Sequence, residues 1–370
     1  MVSSRNIAND KICNITDVRY LTEHDFYCAH NRTFVEKGDI LFTSVASLGR
    51  TCIYNLEGPV TFQRSVTVIK THIYNKYLKL FLDSPIYQNY VNDNARGTAQ
   101  KGFYINQISD SWVPIPPLAE QIRIATKAEE LINTVCQLEI LKDDLGNNIE
   151  KAKSIILDMA IMGRLTPHDP FDEPAIQLLK RISPNFSSCD NRHYENVPFK
   201  VPETWVWARG KELFLSMSNC KPSGDYFKYI DIDSIDNKNC VIKSPKILPV
   251  ISAPSRATRY TRIGDVLFSM VRPYLKNIAM VTEDNCIASS GFYVCSPNES
   301  LISKYCYYLM ISPYVVNGLT QFMKGDNSPS INHVHINEWL YPIPPLNEQN
   351  RIVQKVDKLF RYLDSIAIEL

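Results

Sequence analysis

Between Lys243 and Lys276 the chain carries Lys243, Lys246, Arg256, Arg259, Arg262, Arg272 and Lys276 against a single carboxylate, Asp265. A stretch of this kind neutralises phosphates, and an arginine that reaches a major groove reads the guanine edge. A thinner set lies in the first third: Arg50, Arg64, Arg96 and Lys101, with Gln63 and Gln100 of the type that pairs with adenine. Each of these residues alone is accounted for as a solvated surface charge. It is the clustering that points to nucleic acid. Tyr226, Tyr229, Tyr260 and Tyr274 interleave with the cations, although aromatics in strand-rich domains more often pack a core. Tyr274, between Arg272 and Lys276, joins the candidates for DNA contact.

Other chemistries lack candidates. There is no Gly-x-Gly-x-x-Gly, no Gly-x-x-x-x-Gly-Lys-Ser/Thr and no Asn-Pro-Pro-aromatic run, so no catalytic or cofactor cradle is expected. The ten cysteines form no CxxC pairs, which argues against zinc and suits reduced thiols in a cytoplasm. His333 and His335 flank Val334 in a run that reads as the polar face of a strand rather than a metal pair. No apolar run approaches the length of a membrane span, and the start of the chain lacks a signal-peptide layout. The net charge of +1 decides nothing about partners.

What must position the basic residues is visible in a sequence that occurs twice. Trp112 to Ile124 reads Trp-Val-Pro-Ile-Pro-Pro-Leu-Ala-Glu-Gln-Ile-Arg-Ile, and Trp339 to Ile352 repeats it as Trp-Leu-Tyr-Pro-Ile-Pro-Pro-Leu-Asn-Glu-Gln-Asn-Arg-Ile. The prolines hold each segment extended and end where a helix begins. Glu120-Gln121 and Glu348-Gln349 then favour the positive end of a helix. A heptad follows each cluster. Leu131, Val135, Leu138, Lys142, Leu145, Ile149, Ala152, Ile156 and Met159 form one seam; Ile352, Val356, Leu359, Leu363, Ile366 and Leu370 form the other. A helix from Leu118 to Gly163 would be roughly 70 Å long. With so narrow a seam it needs a partner helix, and the repeat supplies one.

The duplication extends upstream with offsets of 226 to 228. Lys37 to Phe42 matches Ile263 to Phe268, and Ser84 to Tyr87 matches Ser312 to Val315. Each copy is a mixed, strand-rich unit followed by a helix, with short helices expected around Lys76–Tyr90, Ser303–Leu319 and Pro174–Ile182. The predicted organisation is a first globular domain over 1–112, a central helical region over 113–182 and a polar linker over 183–196. A second domain over 197–340 and a second long helix over 341–370 complete it. The first domain has fewer residues before its Gly-Asp turn than the second, so its opening strands are expected to be missing or replaced. The second long helix is about half the length of the first. A sequence trimmed at both ends, or a naturally shortened chain, is expected.

These residues carry a resemblance. The Pro-Ile-Pro-Pro-Leu-(Ala/Asn)-Glu-Gln block resembles the entrance to the long helices of type I restriction–modification specificity subunits. Met162 to Pro170, Asp172 to Pro174 and Leu178 to Ile182 are similar to the family's central exit sequence. Val201 to Trp207 and Val271 to Lys276 resemble pieces of a target recognition domain. The resemblance implies an α+β chain: two strand-rich target recognition domains separated by long helices in an antiparallel intramolecular coiled coil. It implies a non-catalytic subunit, each domain reading half of a split site on double-stranded DNA. Its partners would be methyltransferase subunits, translocase–nuclease subunits and, for the shortened coil, a second copy or fragment of a specificity subunit. The competing reading is a coiled-coil scaffold joining proteins, with degenerate recognition domains. A fused enzyme with a hidden catalytic centre is a third.

Overall fold

Gly38 and Gly264 both sit at positive φ, +98° and +90°, and each turns the chain into a buried strand as their matched sequence predicts. A computed structural model describes residues 1–97, 100–186 and 197–368 of the chain, which divides into two units, Met1–Leu141 and Lys142–Leu370. The first unit opens with a hairpin of β1 (Ile7–Ala8) and β2 (Lys11–Ile12), then α1 (Glu23–Thr33). The strands β3 (Ile40–Thr43), β4 (Thr51–Ile53) and β5 (Val66–Ile69) form an antiparallel sheet in the order β4-β3-β5. Helices α2 (Asn75–Asp83), α3 (Pro85–Asn94) and α4 (Ile105–Ser109) follow, then the start of α5 (Leu118–Ile161). All four residues of β3 are buried because the sheet is covered on both faces. Leu41 packs with Val2, Ile7 and Cys52 on one side; Ile40 and Phe42 pack with Leu78, Tyr87 and Phe103 on the other.

The second unit takes up the end of α5, then α6 (Ala175–Ile182), β6 (Val206–Arg209), α7 (Gly210–Leu213) and β7 (Tyr226–Ile230). Next come the hairpin β8 (Ile235–Asp236) with β9 (Val241–Ile242), then β10 (Lys246–Pro249), β11 (Ala257–Tyr260), β12 (Val266–Ser269), β13 (Ile278–Met280), β14 (Cys286–Ser289) and β15 (Phe292–Cys295). Helices α8 (Ser303–Ile311), α9 (Pro313–Thr320) and α10 (His333–Glu338), strand β16 (Leu340–Ile343) and α11 (Leu346–Ile368) close it. One sheet, β13-β12-β15, repeats the first unit's sheet pairing for pairing: Phe42↔Thr67 becomes Phe268↔Tyr293, and Leu41↔Cys52 becomes Leu267↔Ala279. Among the described residues a second sheet, β10-β7-β14-β11, is built only in this unit, with β14 parallel to β7. Its vestige in the first unit is one parallel bridge, Val2↔Phe62. Where the second unit has β10 and β11, the first has α1.

The helices expected as single pieces are pairs. Ser84-Pro85 and Ser312-Pro313 break them, because proline cannot continue a helix beyond its first turn. Both serines then cap the new helix, accepting from Tyr87 N and Val315 N at 3.3 Å while donating to Phe81 O and Leu309 O at 2.6 Å. Ser312→Ala is expected to cost about 1 kcal/mol, read as a lowered urea midpoint. His333 and His335 lie on a helix, not a strand. Asn332 caps α10 by accepting from Val334 N and His335 N, and the His335 ring stacks on Phe322 at 4.9 Å. A capping residue overrode the alternating pattern.

Within the second unit α5 and α11 pack together and run antiparallel. Lys153 pairs with Asp364 at 2.8 Å and lies over the Phe360 ring, whereas the chain leaving α5 meets the start of α11 through His168–Glu348 at 2.8 Å and Asp172–Arg351 at 2.5 Å. Leu157, Ala160, Ile161, Ile352 and Val356 share one core. The seam is therefore only partly covered. Ile149, Ile352 and Val356 are buried, and Ile156, Leu359 and Leu363 are half-buried. Leu131, Val135, Leu138 and Leu145 remain between 39% and 59% exposed, and Ile366 is exposed too. Leu370 lies outside the described residues, as does the part of the expected 183–196 linker from 187 to 196. Ser183 caps α6, and Phe186 is buried in the core.

Candidate nucleic-acid interface

Three chain segments meet at one end of the sheet in each unit, held by the same backbone hydrogen bonds. In the first, Ser44 N donates to Ser65 O at 2.9 Å, Phe103 N to Ser44 O at 2.9 Å and Gly102 N to Arg96 O at 2.8 Å. In the second, Met270 N donates to Gly291 O at 3.0 Å, Ile331 N to Met270 O at 2.9 Å and Ser330 N to Lys324 O at 3.0 Å. The segments are the β3–β4 loop and its counterpart between β12 and β13, the approach to β5 or β15, and a hairpin after α3 or α9. Gly97 and Gly325 occupy the same hairpin position at φ +116° and +103°. A Cβ on Gly97 would meet Gln100 O at 2.3 Å, so the turn requires glycine.

This brings together every candidate of the first unit. Arg50 ends the β3–β4 loop, Gln63 and Arg64 approach β5, and Arg96, Gln100 and Lys101 lie on the hairpin. All are exposed except half-buried Gln63. Arg50 is partly committed, since Nη1 donates to Ile7 O at 3.2 Å. In the second unit Arg272, Tyr274 and Lys276 lie on the equivalent loop, with Arg272 Nη2 donating to Asn327 O on the neighbouring hairpin at 2.9 Å. Arg256 joins them through Ser290 N–Arg256 O at 2.8 Å. Lys324, exposed and equivalent to Arg96, belongs to the same cluster. Sequence reading passes over it because it stands alone outside the basic run; the 228-residue offset from Arg96 is the available signal.

The other cations are placed elsewhere. Lys246 sits on β10 and is paired with Asp231, whose carboxyl is held below the usual carboxylate range. Arg259 on β11 donates to Asn219 Oδ1 at 2.9 Å. Lys243 follows β9, and Arg262 lies past the far end of β11 over the Tyr260 ring. Of the tyrosines, Tyr229 is core, whereas Tyr226, Tyr260 and Tyr274 are exposed. Burial pushes the Cys52 thiol up to about 12 and Cys240 up to about 11, so neither supplies a thiolate at neutral pH. Among the described residues no cluster of His, Cys, Asp and Glu has the makings of a metal site, and no helix is long and apolar enough to cross a membrane.

The Glu-Gln pair that opens each long helix is more than an N-terminal charge. Gln121 is 5% exposed and Gln349 fully buried. Gln121 Oε1 accepts from Tyr74 N at 2.9 Å and Nε2 donates to Pro116 O at 2.8 Å. Gln349 repeats this with Ile302 N at 2.8 Å and Pro344 O at 3.1 Å. Tyr77 and Tyr305 add hydroxyl bonds to Pro114 O and Pro342 O, at 2.9 and 3.0 Å. The glutamates differ. Glu120 is exposed, but Glu348 is 1% exposed and accepts from Trp205 Nε1 at 3.0 Å, with His168 Nδ1 at 2.8 Å. Nearby, the Arg351 guanidinium holds the Asp172 carboxyl below the usual carboxylate range. A depressed folded-state pKa stabilises above the unfolded value of about 3.9 and is lost as pH falls through the folded one. Asp172→Asn should therefore flatten the acid limb of a pH–stability curve below about pH 4.

Comparison with known proteins decides what these paired units are. The profile of the family described as "Type I restriction modification DNA specificity domain" matches residues 9–150 and 207–369, one copy on each unit's repeat. The chain belongs to this specificity family. It is accordingly a non-catalytic specificity chain. Similar relatives are the Type I restriction enzyme EcoDI specificity subunit of Escherichia coli, 22% identical over 82% of this chain and 67% of that one, and the EcoAI specificity subunit of the same organism. The latter is 23% identical over 78% of this chain and 60% of its own. The chain thus spans about three fifths to two thirds of those relatives. The HsdS subunit from Thermoanaerobacter tengcongensis, a solved structure, is 38% identical over 47% of this chain and 46% of that one, with a TM-score of 0.44.

Proposed function

We propose that this chain is the DNA-specificity subunit of a type I restriction–modification complex, each unit reading one half of a bipartite site on double-stranded DNA. The observation that carries the reading is the loop cluster repeated in both units, with Arg64, Arg96 and Lys101 on one and Arg256, Arg272 and Lys324 on the other. Backbone-held loops with cations at their tips position a protein on phosphate, while the long side chains among them reach base edges. The long helices set the distance between the two half-sites, and the partners are methyltransferase and translocase–nuclease subunits in a cytoplasm. Mapping genome-wide methylation in cells that co-express the chain with its methyltransferase tests this. A split motif with one fixed spacer is the expected result; a continuous motif, or none, rejects it.

A second reading, a protein-joining scaffold, draws on the exposed apolar seam of α5 at Leu131, Val135, Leu138 and Leu145. Its discriminator is binding to random duplex DNA. Phosphate contacts give affinity that falls steeply with salt, and a scaffold shows no such binding.

A further inference from the structure

We infer that Gln121 and Gln349 are positioning residues that stiffen the joint between each recognition unit and its long helix, and so set how strictly the spacer between half-sites is enforced. The inference rests on the bipartite reading above. Each glutamine is in the first turn of a long helix yet accepts the backbone N–H of Tyr74 or Ile302, the residue immediately before α2 or α8, whose own side chain makes no cap. Its amide returns a bond to Pro116 O or Pro344 O in the extended entry segment. Three parts of the joint therefore share one buried side chain: the entry segment, the long helix and the unit's helix pair. The prolines fix φ along the entry, and Tyr77 or Tyr305 pins it a second time. A joint with its soft torsions removed transmits the orientation of the helix to the recognition loops. A loosened one lets the unit swing and dock on half-sites at neighbouring separations.

The two joints are unequal. Gln349 also donates to Ser300 O at 2.8 Å, and beside it Glu348 is tied to Trp205 and His168. Glu120, beside Gln121, is exposed. Loosening is expected to be larger at Gln121.

The test uses the full chain in complex with its methyltransferase subunits, on duplexes carrying both half-sites separated by the native spacer or by one or two base pairs more or fewer. Gln121→Met, similar in volume but without the bonds, should raise methylation on the adjacent spacers relative to the native one by roughly tenfold. The half-site bases should stay unchanged, and Gln349→Met should do less. Tyr77→Phe removes only the parallel hydroxyl bond and should shift the profile in the same direction, which keeps the test decisive if a glutamine variant folds poorly. Folded variants with the wild-type spacer profile overturn the inference. A wild-type complex that methylates no bipartite site instead removes the functional reading on which it depends.

Discussion

Replacing Arg64, Arg96 and Lys101 together with alanine is expected to lower the slope of log affinity against log salt by about 3, at roughly 0.9 for each phosphate left without its cation. Affinity for duplex DNA near 0.1 M salt should fall by on the order of a hundredfold or more. These three are chosen because they are exposed on the first unit's loop cluster, whereas Arg50 holds Ile7 O, so that its removal would also disturb the loop itself. Lys246→Ala is the matched control. Lys246 is exposed and lies in the basic run, but it pairs with Asp231 and sits on β10, the edge of the second sheet opposite β11. It should leave the salt slope unchanged. Equal effects from both variants would place the interface elsewhere.

Glu348→Ala should destabilise the second unit by about 3 kcal/mol, because removing one partner strands a buried donor and opens space in a packed region. The stranded donor is Trp205 Nε1, with the ring 6% exposed, and His168 is deprived of its acceptor as well. In a unit of this size the midpoint of thermal unfolding should drop by roughly 6–12 °C. Glu348→Gln keeps an acceptor for Trp205 and should recover much of the stability. The matched change in the first copy, Glu120→Ala, should stay within about 0.5 kcal/mol, since that side chain is exposed. Calorimetry of the three variants checks the contrast; similar destabilisation at Glu120 and Glu348 would refute it. Identical letters in a duplicated motif thus carry different weight once folded.

Trp205 explains that difference. It precedes β6, which pairs with β16 and closes the second unit on itself through Trp207 and Tyr341, both buried. Among the described residues the first unit has no counterpart of that strand pair, and Glu120 stays in solvent.

Much of the architecture was legible because it rests on local chemistry. Proline clusters bound the entry segments, the uninterrupted heptad demanded a long helix, and the Gly-Asp turns led into strands whose all-apolar character matches burial on both faces. Repetition then doubled each signal. The Ser-Pro breaks inside the paired helices were legible too, but the apolar periodicity on either side masked them. The helix of His333 and His335 was hidden by an alternation that Asn332 capping outweighed.

The basic run from Lys243 to Lys276 does not stay together in the fold, since proximity in sequence along short strands scatters side chains to both ends of a sheet. Arg256 and Arg262, six positions apart, flank β11 and end up at its opposite ends, whereas Arg64 and Arg96 converge from separate segments.

The duplication, the long helices and their need for partners were determined by residue type and spacing alone, because backbone torsions and apolar period are local properties. Which cations share a surface, which glutamate is buried and how much of the α5 seam is covered were decided only by tertiary structure. Those outcomes depend on residues tens to more than a hundred positions apart meeting in space, as Trp205 meets Glu348, and no pattern along the chain encodes that meeting.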